Sequence, residues 1–186
     1  MEKLNEQDQE IVRYIHLEDQ KEQAFKLIVK HYKERLYWHI RKMVISHDDT
    51  DDVLQNTFLK VWKNLDRFRG DASLYTWLYR IATNETLTFL QTKQKKQLKT
   101  INAPLLSAEE ILESDPWFDG NEIQQKLQAC LMQLPQRQRL VFNMKYFEEM
   151  KYQQISEILK VTVGSLKASY HHAVKKIESI LKEEML

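Results

Sequence analysis

The chain is poor in the residues that make turns and cross-links. Among 186 residues there are 3 Gly, 3 Pro and 1 Cys, which leaves little material for the turns of a β-sandwich and favours helices. The single cysteine, Cys130, cannot form an internal disulfide. That fits a reducing compartment and a small core residue on a helix. No apolar run approaches the roughly 18 residues of a membrane span, and no charged-then-apolar signal segment opens the chain. A soluble, cytoplasmic protein without direct membrane insertion is expected. Gly-rich phosphate loops, an HExxH pair and a nucleophile beside a base are also missing, which argues against a hydrolase. No catalytic residue and no cofactor is assigned.

What is present is charge, at 30% of residues, and it is laid out in blocks. Residues 1–100 hold 18 Lys and Arg against 15 Asp and Glu; residues 101–120 hold none against 5; residues 121–186 hold 10 against 7. Two mildly basic blocks therefore flank an acidic connector, a pattern that permits a polyanion to bind at both ends and equally suits solvated helix faces.

Helical periodicity runs from Asp19, where Asp19 and Glu22 form a capping-box-like start and Phe25, Ile28, Tyr32, Leu36, Ile40 and Met43 follow at helical steps. In "SHDDTDDVLQNTFLKVWKNL" the aspartates place negative charge at a helix N-terminus. Leu54, Phe58, Val61, Trp62 and Leu65 then share one packing stripe. Asp52, Gln55, Leu59 and Lys63 lie on an outer strip, read either as ordinary surface or as a protein contact. "DRFRGDA" breaks the helix at Gly70, and periodicity fades again from Thr100 to Gly120. The expected architecture is all-α, with two small helical domains, 1–99 and 121–186, joined by a flexible acidic linker at 100–120.

Between the break at Gly70 and the fading at Thr100 sits "DASLYTWLYRIATNETLTFL", which after Asp71 carries only Arg80 and Glu85. Either this helix is buried all round or its outside meets something other than water. In the second domain Pro135 opens a helix at its first turn, and the segment from Tyr152 reads as helix-turn-helix. Thr162 is a good N-cap for the second helix of that motif, Leu166, Tyr170, Ala173 and Ile177 pack inward, and Ser165, Lys167, Ala168, His171, His172 and Lys175 lie opposite. Such a helix fits a major groove, its first residues reaching base edges and its lysines neutralising phosphates. The adjacent histidines diverge by about 100° on a helix and lack a Cys or acidic partner at ligand spacing, so no metal is assigned.

The order "DDVLQNTFLKVW", "LDRFRGDASLYTWLYRIATN", acidic linker, "LPQRQRLVFNMKYFEEMKYQQISEILKVTVGSLK" resembles an extracytoplasmic-function sigma factor of the sigma-70 family, over about Phe25 to Ile180. The resemblance implies a transcription initiation factor without catalytic activity, which directs core RNA polymerase to promoters and assists their melting. It implies that region 2 captures the minus-10 element and that region 4 reads the minus-35 element. By position, Asp52, Gln55 and Leu59 become polymerase-binding. Phe68, Arg69, Gly70 and Asp71 in the loop, with Ser73, Trp77, Arg80 and Asn84 in one line below it, become the seat of a flipped minus-10 base. Thr162, Ser165, Lys167, Ala168, His171, His172 and Lys175 face minus-35 DNA.

On this reading Leu74, Leu78, Ile81, Ala82 and Phe89 form the packed side of the 71–90 helix, and its other aromatic and hydroxyl groups suit unstacked bases. For Trp77 both roles stand open. The partners implied are core RNA polymerase, promoter DNA both duplex and melted, and an anti-sigma factor, expected to be membrane-anchored. The recognition helix departs from the family in carrying Ser169, His172 and Val174 where arginines are common, which leaves readout to Ser165, Lys167, the histidines or DNA shape. The alternative is a helix-turn-helix regulator whose N-terminal domain senses a ligand or dimerises.

Overall fold

The computed structural model describes residues 6–99 and 122–183, and among them there is no strand. The first half holds α1 (Glu6–Ile15), α2 (Lys21–Val44), α3 (His47–Asn64) and α4 (Leu74–Lys99). The second holds α5 (Glu122–Met132), α6 (Gln136–Phe142), α7 (Tyr152–Leu159) and α8 (Val163–Glu183). The 100–120 linker lies outside the described residues.

Short polar residues set three of the helix starts. Ser46 caps α3 by accepting from the Asp49 amide at 3.4 Å, with Asp48 and Asp49 in the first turn where the dipole favours them. Ser73 caps α4 through the Thr76 amide at 3.1 Å, and Thr162 caps α8 through the Ser165 amide at 3.3 Å. Pro135 stands one place earlier than expected, at the N-cap of α6. The expected Asp19 cap is corrected: Gln20 is the N-cap of α2 and makes no side-chain cap bond, while Asp19 has φ 61°. The turn out of α1 uses Asp19 in the left-handed region, which short polar residues tolerate best after glycine.

Two other turns of the first half carry positive φ. Gly70, at φ 79°, lets the chain fold back from α3 into α4, a conformation in which any side chain would be strained. Ile45, at φ 73° and ψ −50°, closes a tight turn in which the Ser46 amide reaches Val44 O at 3.0 Å. A β-branched residue pays for that geometry in strain, which the surrounding packing must hold.

α2 is the spine of the first half, packed against α1, α3 and α4. Its Ile28, Tyr32, Leu36, Ile40 and Met43 are buried as the periodicity required, each apolar side chain contributing about 1.5–3 kcal/mol. α8 folds over α5, α6 and α7, with Leu166, Ala173 and Ile177 inward and Cys130 buried beside them. The two halves are not separate bodies. α7 packs on α4, and one apolar core contains Leu36, Leu74, Leu78 and Ala82 together with Val141, Met144, Ile155 and Ile158.

That contact decides the surroundings of α4. Leu74, Leu78 and Ala82 are buried as expected, but so are Thr76, Tyr79, Thr83 and Thr86, and Tyr75 is half-buried and stacked on Tyr79 at 4.2 Å. Most of the aromatic and hydroxyl groups that the sequence assigned to unstacked bases are therefore interior. α2 covers one side and α7 another, so low charge on α4 reflects burial over most of its circumference.

Candidate nucleic-acid interface

Three surfaces carry the residues singled out in the sequence. The first lies where the Gly70 bend meets α4. Arg69, Gly70, Asp71, Ser73 and Asn84 are exposed, Trp77 and Arg80 are half-buried, and Phe68 is buried. Phe68 thus braces the site and does not present its ring, lying 5.2 Å from the Trp77 ring, centre to centre. Ser73 is occupied as the α4 cap and also donates to Thr76 Oγ1 at 2.9 Å.

Trp77, Ile81 and Asn84 wall a hollow of about 250 Å³, whose other side is Lys60, Asn64, Arg67 and Glu85. Lys60 and Glu85 form an ion pair along its rim, and Asn64 is held by donating to Lys60 O at 2.8 Å. The hollow offers one flat apolar wall, an amide able to donate and accept, and the Arg67 guanidinium beside the Lys60–Glu85 pair, enough for one planar base with a phosphate nearby. Lys60, Asn64 and Arg67 were missed in the sequence because they belong to the preceding helix and turn, and only packing brings them opposite Asn84. Arg80 does not face this hollow freely: its Nη2 donates to Glu157 O of α7 at 2.9 Å.

The second surface is α8. Thr162, Ser165, Lys167, Ala168, His171, His172 and Lys175 are all exposed, so the structure brings them together as one unobstructed face. Lys160 at φ 57° makes the tight turn that presents it, and Ser156 Oγ donates to Val161 O at 2.6 Å to fix that turn. Arg137 of α6 reaches Ser165 Oγ at 3.4 Å and adds a cation beside the N-terminal end of α8, a neighbour that only the tertiary structure reveals. The two histidine rings lie 6.0 Å apart, and among the described residues no three metal-ligating side chains gather.

The third surface is a groove of about 720 Å³ between α2 and α3, lined by Phe25, Val29, Gln55, Phe58, Leu59 and Trp62. Asp52, Gln55 and Leu59 are exposed, Leu59 at 51%. Phe58 and Trp62 were expected inside; Phe58 is half-buried and Trp62 stands 36% exposed beneath Lys21, whose Nζ is 4.9 Å from the ring centre. The stripe is wider than the neighbouring helix, so its outer members pack edge-on against Phe25, at 6.2 and 5.2 Å, and leave an apolar trough. No described helix is long and apolar enough to cross a membrane.

Comparison with known proteins bears on both halves. Residues 28–96 match the family Sigma-70 region 2, and residues 124–177 match Sigma-70, region 4. The chain is similar to the RNA polymerase sigma-H factor of Pseudomonas aeruginosa, 27% identical over 95% of each chain. It is also similar to the ECF RNA polymerase sigma-E factor of Escherichia coli, 29% identical over 92% of this chain and 93% of that one. Among solved structures, CnrH in complex with the cytosolic domain of CnrY shares the fold at a TM-score of 0.69, 19% identical, over 96% of this chain and 99% of that one. The sigma factor RpoE of Bartonella quintana, solved with the anti-sigma factor NepR, does so at 0.68, 20% identical, over 85% and 96%.

Proposed function

This chain belongs to the sigma-70 family as an extracytoplasmic-function sigma factor, and we propose from that premise how its residues divide the work of promoter recognition and melting. Directing core RNA polymerase to promoters is the function of the chain; the assignments to side chains are the reading offered here. A regulator with a sensory or dimerising N-terminal domain is not favoured, because that domain is a sigma region 2. The protein carries no catalysis of its own and acts in the cytoplasm by binding alone.

The groove of Phe25, Phe58, Leu59 and Trp62 docks an apolar segment of core polymerase, with Asp52 and Gln55 at its rim. α8 enters the minus-35 major groove, Ser165 and Lys167 nearest the bases, Lys175 and Arg137 near phosphates. Melting is driven at the hollow beside α4. Extruding a base costs a few kcal/mol of stacking and pairing. A ring stacked on Trp77 recovers about 1–3 kcal/mol, and the Asn84 amide adds hydrogen bonds that only an extruded base receives. An anti-sigma factor, the kind of partner with which RpoE was solved, regulates the chain by covering these surfaces.

The observation that carries this reading is the hollow itself, an open apolar and amide-lined recess beside a glycine bend, on a helix that between residues 74 and 90 carries only Arg80 and Glu85 as charges. Its test is Asn84→Ala in reconstituted holoenzyme, with fluorescent base analogues placed in turn through the minus-10 non-template strand. Open-complex formation should fall several-fold while affinity for core polymerase is kept. Melting equal to that of the unaltered chain would remove the base-seat assignment.

A further inference from the structure

We propose that a cleft along the seam where α2 and α4 meet the second half is a binding site for a guanine nucleotide. The cleft holds about 600 Å³, within the range of small-ligand sites. Its α2 wall is Glu34, Arg35, Trp38 and Lys42, its α4 wall is Tyr75 and Tyr79, and Glu148 closes one end. It shares no residue with the hollow beside Asn84 or with the groove between α2 and α3, so a ligand here is additional to promoter and polymerase.

The four α2 residues fall within about 100° of arc and span about 12 Å of helix, so they form one wall. Along it stand a base-reading pair, a ring and a cation. Trp38 is 47% exposed, and Tyr37 braces it edge-on at 5.3 Å between ring centres. The α4 wall is aromatic too, with Tyr75 stacked on Tyr79 at 4.2 Å. A planar base laid on Trp38 therefore has aromatic groups on both sides.

Glu34 and Arg35 select the base. A carboxylate only accepts and a guanidinium only donates. Guanine presents donors at N1 and N2 beside acceptors at O6 and N7, which matches an acceptor and a donor on adjacent residues. Adenine, with one amino group, leaves Glu34 poorly served. At the far end Lys42 supplies charge for phosphate. It is half-buried, and burial pushes its ammonium below its ordinary value against the opposing pull of Glu148. Neither Lys42 nor Arg35 makes an ion pair or hydrogen bond among the described residues. Glu148 is already committed, its two oxygens lying 2.9 and 3.2 Å from Nδ1 of His39, which is itself 2% exposed. The Phe147 ring, 5.2 Å from the Lys42 ammonium, holds that charge without neutralising it. A partly desolvated cation with no counter-ion is stabilised by an arriving phosphate.

Isothermal titration calorimetry of the full-length chain with GDP tests the site. One-to-one binding with a Kd below about 1 mM is expected. Trp38→Ala should weaken it about ten-fold through lost stacking, with helical circular dichroism and affinity for core polymerase unchanged. Glu34→Ala should remove the preference for GDP over ADP without weakening ADP. No binding up to about 1 mM, or a Trp38→Ala chain that binds as before, would overturn the proposal. Pyrophosphate binding as tightly as GDP would reduce the cleft to an anion site, and ADP doing so would remove the guanine assignment. A short single strand of DNA that displaces GDP at concentrations below the Kd for GDP would give the cleft to nucleic acid and overturn the nucleotide reading. None of these outcomes depends on whether Asn84 seats a base.

Discussion

The two surfaces proposed to meet DNA are built on opposite plans. On α8 the candidate residues project from a finished helix, and the packing is done by a separate stripe of Leu166, Ala173 and Ile177. On α4 the site grows out of the core: Trp77 rests on buried Phe68, Ser73 is the helix cap, and Arg80 is tied into the seam. The contrast follows from the tasks. Reading a duplex needs only a rigid convex face, whereas holding an extruded base needs a recess, and a recess must be walled by side chains that also support the fold. Function and stability are therefore separable on α8 and coupled on α4.

The hardest test of that coupling is Leu78→Ala, at a fully buried α4 position shared by both halves. It should cost about 2–5 kcal/mol in denaturant unfolding. One unfolding transition should shift as a whole, and two resolved transitions would contradict a common core. Alkaline pH probes the same region. Tyr32 and Tyr79 are buried, and burial first, aided by Asp8 for Tyr32 and by Glu148 for Tyr79, pushes both phenols well above their ordinary value near 10. The folded state holds those protons after the unfolded chain has released them, so this contribution is whole below pH 10 and is lost as pH rises beyond it. By pH 11 the two should cost about 2–3 kcal/mol together, and stability flat to pH 11 would place these rings in solvent.

Trp77→Ala should lower open-complex formation by about 1–3 kcal/mol and also lower thermal stability, because Phe68 loses its cover. If melting fails with stability untouched, the coupling claimed for α4 is broken. The smallest effect is expected from Lys167→Ala on α8. Thermal stability should not move, while the salt dependence of minus-35 duplex binding by holoenzyme should flatten by about one unit of slope. A stability loss there would mean that α8 too builds its contacts from structural residues.

Most helices were legible in the sequence because their signals are local. Thr162 caps α8 and Asp48 and Asp49 stand in the first turn of α3 as read, and the 3.6-residue apolar stripes of α2 and α8 face inward. The exposed strip of Asp52, Gln55 and Leu59 was legible for the same reason. The interior threonines and tyrosines of α4 were not, since an uncharged helix has the same sequence whether its neighbour is a base or another helix. α1 gave no signal that was read, and the outer aromatic pair Phe58 and Trp62 looked like core because periodicity reports direction and not the width of the facing helix.

By itself the sequence determined an all-helical chain with a glycine-bent region 2, a helix-turn-helix region 4 and an acidic stretch between them, all properties of residues a few positions apart. Only the tertiary structure decided that the halves close on one another, that Arg80 is already engaged, and that Lys60, Asn64 and Arg67 stand across from Asn84. His39 meets Glu148 from 109 positions away. No local pattern encodes such a meeting, because which half-apolar faces pair is set by the summed packing of the whole chain.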